Sequence, residues 1–163
     1  MEWLYIACIV LAGLAMLVIT IIIPYGVFMR YVMNSASGWP EPAGILMMIL
    51  FSFIGGAAAY RANAHIAVGT LLNAVNAVNR KRLERTGDVG MGIIGLFMIK
   101  WGILLVQTVW QNTIAEFPDL SVGVTYLPIP VAGLITLLFC IERLWLGEPP
   151  PNSFTFRDQP QTE

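Results

Sequence analysis

The sequence predicts an all-α integral membrane protein, with four transmembrane helices plus an amphipathic membrane-surface helix between the second and third spans. Three observations carry this. Of the 163 residues, 57% are hydrophobic and only 12% are charged, whereas a soluble domain carries about 25% charged residues. Mean hydropathy is +0.72. The apolar residues gather into four long runs, each near the roughly 20 residues that cross a bilayer. Four spans fill the chain and leave no room for a soluble catalytic domain. The net charge of −1 points to no class of partner, and no nucleic-acid partner is expected.

The first span is expected at about 3–33. Trp3 to Ile23 is free of charge. The run lacks a basic n-region and exceeds a typical h-region, so it reads as a span and not a leader. Pro24 would kink a helix running through it. Asn34 to Pro42 is a loop punctuated by Gly38, Pro40 and Pro42, residues that interrupt helices. Trp39 suits the interfacial aromatic belt. Pro42 and Glu41 suit the start of a second span at about 42–60. That span contains Gly55-Gly56-Ala57-Ala58-Ala59, small residues that admit a neighbouring helix closely.

The stretch at about 64–85 differs in character. Ile66, Leu71, Val75 and Val78 recur near helical spacing, Asn73, Asn76 and Asn79 lie between them, and the stretch closes on Arg80-Lys81-Arg82-Leu83-Glu84-Arg85. This pattern predicts an amphipathic helix lying on the membrane surface. The third span is expected at about 89–110, followed by a polar loop containing Glu116 and Asp119. The fourth is expected at about 124–145, with Pro128 and Pro130 near its start. Residues 1–146 thus form the membrane domain, and 147–163, with three successive prolines, a polar and poorly ordered cytoplasmic tail.

Orientation follows from the basic residues. Five of the nine Lys and Arg (Arg61, Arg80, Lys81, Arg82, Arg85) lie between the second and third spans. The positive-inside rule places that segment and both termini in the cytoplasm and the Trp39 loop outside. Arg30 falls on the other side and does not outweigh the five.

Several patterns invite a chemical reading. Gly90-Met91-Gly92-Ile93-Ile94-Gly95 matches a dinucleotide fingerprint literally, but no strand precedes it, and small residues at a helix contact explain it better. His65 is the only histidine, too few for a bis-histidine haem or for a catalytic metal site of about three protein ligands. Arg61 and His65, four residues apart, would share one helix face and meet a lipid headgroup or a partner carboxylate. Lys100 sits on the order of 17 Å into the third span, near the middle of a core about 30 Å thick. A lysine there costs roughly 2.5–3.5 kcal/mol on insertion scales, so either it pairs with another group or its stem snorkels. Cys8 and Cys140 lie in apolar runs and read as small packing residues. No broken, polar helix pair of the kind that holds a transported substrate is present.

The ordered set Arg30-Tyr31-Val32-Met33-Asn34, Gly38-Trp39-Pro40-Glu41, Phe53-Ile54-Gly55-Gly56-Ala57-Ala58, Tyr60-Arg61 and His65-Ile66-Ala67-Val68 resembles the small permease subunit of TRAP transporters, the DctQ-like family. Leu127-Pro128-Ile129-Pro130 resembles it too. Pro42 and Gly69 stand where many relatives carry acids, and Lys100 lies outside the family pattern. The resemblance implies a non-enzymatic scaffold subunit, without cofactor, in the bacterial inner membrane. Its partners would be a large DctM-like permease subunit, a periplasmic substrate-binding protein and membrane lipids. The assembly would import organic acids (C4-dicarboxylates, sialic acid or another carboxylate) with sodium. The competing readings are a membrane anchor of a respiratory or redox complex, for which haem ligands are lacking, and an embedded lipid transferase, for which clustered acids are lacking. The residues expected at subunit or lipid interfaces are Arg30, Trp39, Glu41, Arg61, His65 and Lys100, none of them at a substrate or catalytic site.

Overall fold

A computed structural model describes residues 1–35, 37–62 and 77–146. The four spans are present as helices. The first, α1 (Glu2–Tyr31), is 30 residues long and runs without interruption through Pro24. At about 1.5 Å per residue it is longer than the hydrocarbon core is thick, so it tilts or projects. The chain leaves it through Asn34, whose φ of 50° is left-handed, a backbone state that asparagine tolerates better than most residues. The second helix, α2 (Pro40–Arg61), begins with Pro40 in its first turn, where the missing N–H costs nothing.

The third helix, α3 (Ala77–Val109), has 33 residues, and here the structure departs from the expected boundaries. A surface helix ending at 85 and a separate span starting at 89 are one helix between 77 and 109. The polarity of Arg80 to Arg85 marks a change of environment, and polarity alone does not end a helix. No proline lies between 77 and 109, and Gly87 and Gly90 each cost only about 1 kcal/mol relative to alanine. Residues 64–76 of the expected surface helix, including His65, lie outside the described residues, as does the tail 147–163.

The expected polar loop after the third span contains a small antiparallel hairpin, β1 (Thr113–Ile114) and β2 (Phe117–Ser121). Thr113 faces Ser121 and Ile114 faces Phe117, with an irregularity between the two pairs. The fourth span opens with a short helix, α4 (Val122–Tyr126), capped by the Ser121 hydroxyl, which accepts the Gly123 N–H at 3.0 Å. It continues as α5 (Pro128–Leu146). Leu127 separates the two because Pro128 and Pro130 withhold N–H groups from the ladder.

The spans stand in a row, α1–α2–α5–α3, in which each outer helix packs chiefly on one neighbour. Only 17% of the most apolar stretch of α1 and of α3 is buried within the chain, against 39% for the fourth span. The small residues set the spacing. A Cβ on Gly133 of α5 would lie 2.9 Å from the Gly95 carbonyl oxygen of α3, and one on Gly102 would lie 2.9 Å from Pro130 Cδ. The α3–α5 seam is thus backbone on backbone, the close approach that small residues permit in membranes. Gly92 and Gly95 both serve it, the former against Cys140 Sγ, while Gly90 faces open space. Between α1 and α2, Gly26 admits Pro40 and Gly44 admits Ile23.

Candidate functional site

Charged side chains of the spans gather mainly at the two ends of the helices, and the two ends are built differently. At the end where α2 and α5 finish and α1 and α3 enter, the side chains form a clasp. The Arg61 guanidinium donates from Nε to Glu142 Oε2 at 3.0 Å and from a terminal nitrogen to Oε1 at 3.1 Å. Its carbon centre lies 5.2 Å from the Tyr5 ring and 5.3 Å from the Phe139 ring. Arg61 is only 6% exposed. A fork-on-fork pair held between two aromatic faces suits the planar guanidinium and would suit a lysine poorly.

A second pair completes the clasp. Arg143 Nε lies 3.2 Å from Asp88 Oδ1, and the Tyr60 hydroxyl donates to the same oxygen at 2.9 Å. The Cys140 thiol donates to the Asp88 carbonyl oxygen at 3.0 Å. Arg143 also stacks over Tyr60, 5.9 Å from its centroid. Two cations meet two anions, so the cluster carries no net charge. It ties α1 through Tyr5, α2 through Tyr60 and Arg61, α3 through Asp88, and α5 through Glu142 and Arg143.

The opposite end is open. Arg30 and Glu41 approach at 3.9 Å with side chains 58% and 77% exposed. Together with Gly26, Ser37 and Pro40 they line a shallow cleft of about 270 Å³. Trp39 rests on Tyr25 with ring centroids 5.7 Å apart, and Gly38 brings the first loop against Glu116 of the hairpin segment. Exposed ion pairs contribute between zero and about 1 kcal/mol. Arg30→Ala is therefore expected to change stability by under about 1 kcal/mol, as read by thermal unfolding in detergent.

Of the residues expected from the sequence, the structure brings Arg30, Trp39 and Glu41 together at the open end. The carboxylate that Arg61 meets belongs to this chain. His65 lies outside the described residues. Lys100 stands apart on the outward side of α3, with Nζ 5.7 Å from the Trp101 ring centroid. Sequence reasoning missed Asp88, Glu142, Arg143 and Tyr60. Tyr60 meets Asp88 across 28 residues and Glu142 meets Arg61 across 81, and Arg143 meets Asp88 from another helix, distances which no local pattern reveals. One signal was available: Glu142-Arg143 interrupts an otherwise apolar run before its end.

A row of four apolar spans whose charges are largely paired within the chain defines a multi-span membrane protein. The family model for the DctQ component of tripartite ATP-independent periplasmic transporters matches residues 19–148. The chain belongs to that family of transporter subunits, which is not an enzyme class. It is also similar to a Haemophilus influenzae protein described as "Putative TRAP transporter small permease protein", with 27% identity over 125 residues, 77% of each chain.

Proposed function

We propose that this chain is the small scaffold subunit of a TRAP transporter that imports organic acids with sodium, and that it binds and braces the large permease subunit. It sits in the bacterial inner membrane with both termini cytoplasmic. A periplasmic substrate-binding protein delivers the carboxylate substrate at the Arg30–Trp39–Glu41 side, and His65 and the segment around it lie on the cytoplasmic side.

The observation that carries this reading is the row itself. Four of its charged side chains neutralise one another at the clasp, and its apolar flanks are largely uncovered. Such a unit offers an apolar surface to a partner. Membership of the DctQ family supports the tripartite assembly in general.

The test is uptake of a labelled carboxylate into cells or proteoliposomes holding the binding protein and the large subunit, with and without this chain. Transport is expected only when all three are present. Full transport without this chain would sink the proposal.

A further inference from the structure

Lys100 is placed where a cation is hard to keep. It lies nine residues before the end of α3, roughly 13 Å along the axis, and so near mid-depth in a core about 30 Å thick. The face of α3 that packs on the fourth span runs through Gly95, Gly102 and Val106, all buried. Lys100 is about 150° round the helix from that seam and is exposed. Phe97 and Leu104 flank it on the outward side, 61% and 52% exposed, and Gln107 lies two turns further on the same side, also exposed.

Among the described residues no carboxylate forms an ion pair with Lys100. The Trp101 face at 5.7 Å offsets only part of the cost of leaving water. Nor can a second copy of this chain supply the missing charge, because no Asp or Glu stands in the central stretch of any of the four spans. Asp88 and Glu142 sit at the clasp and are already paired.

We infer that the outward face of α3, from Phe97 to Gln107, docks a transmembrane helix of a different protein, and that this helix carries an Asp or Glu at mid-depth that pairs with Lys100. Charge complementarity selects the occupant, since hydrocarbon cannot neutralise the ammonium and a membrane-embedded carboxylate needs such a cation as much as the cation needs it. The inference rests on the scaffold reading, in which the neighbour is the large permease subunit.

The experiment uses the whole assembly, with this chain tagged and co-expressed with its large subunit. Lys100→Leu removes a costly charge, so the chain is expected to insert at wild-type abundance and yet to bring down about tenfold less large subunit. Lys100→Arg keeps the charge and is expected to retain the partner. A photo-crosslinking residue at Leu104 in the otherwise native chain is expected to label the large subunit in a segment containing an Asp or Glu, and it carries the test if Lys100→Leu accumulates poorly. Undiminished recovery with Lys100→Leu, or adducts to lipid alone at Leu104, overturns the inference and leaves the scaffold reading standing. If the wild-type chain brings down no large subunit, the scaffold reading falls and the inference with it.

Discussion

Arg61→Ala is expected to destabilise the protein by about 3–5 kcal/mol, the range for removing one partner of a buried ion pair. The loss has two parts. Glu142 is left at the clasp without its two N–H donors, and the Tyr5 and Phe139 rings lose the guanidinium that fills the space between them. Glu142→Ala should cost a similar amount for the converse reason. Removing both partners together, as in Arg61→Met with Glu142→Leu, should cost less than the sum of the single changes, because no charge is stranded. Thermal unfolding of the purified chain in mild detergent reads these values. Purely additive losses would show that the two side chains do not act on each other. Arg61→Lys is a useful intermediate, since it keeps the charge but loses the fork and the stacking.

The second large effect is expected at the helix seam. Gly133→Leu should cost upwards of about 3 kcal/mol, beyond the range for ordinary overpacking. A Cβ at this position meets the Gly95 carbonyl oxygen at 2.9 Å, Met98 Cβ at 2.9 Å and the Ile99 nitrogen at 3.1 Å. Two of these three are backbone atoms, which move only if α3 and α5 separate along their length. Gly133→Ala should already cost on the order of 1–3 kcal/mol. Gly90→Ala provides the contrast, because nothing lies within 4 Å of its added carbon. That change should be neutral or stabilising by up to about 1 kcal/mol from helix propensity alone. Equal effects at the two positions would mean that α3 and α5 are not in backbone contact.

These two sites mark the limit of what the amino-acid order discloses. The spans are legible because crossing a membrane demands an apolar stretch of a set length, a property local to each segment. Arg61 is legible as a charge at a span end, and its partner is not, since Glu142 stands 81 residues away. The glycines of residues 90–95 are legible as contact residues, yet only the packed structure separates Gly95, pressed on Gly133, from Gly90, which touches nothing. The continuity of α3 across residues 85–89 is hidden in the sequence because polarity changes there, whereas helical hydrogen bonding continues wherever the backbone can satisfy itself. The hairpin at 113–121 is not legible in the sequence because its strands are two and five residues long, too short for an alternating pattern.

The order α1–α2–α5–α3 has a geometric consequence. Four helices closed into a square present a neighbour with a side only two helices wide. Four in file, at axis spacings of about 8–10 Å, offer a contour of roughly 24–30 Å between the outermost axes. A chain of 163 residues in this way presents a flank far wider than the same four helices would offer as a closed bundle.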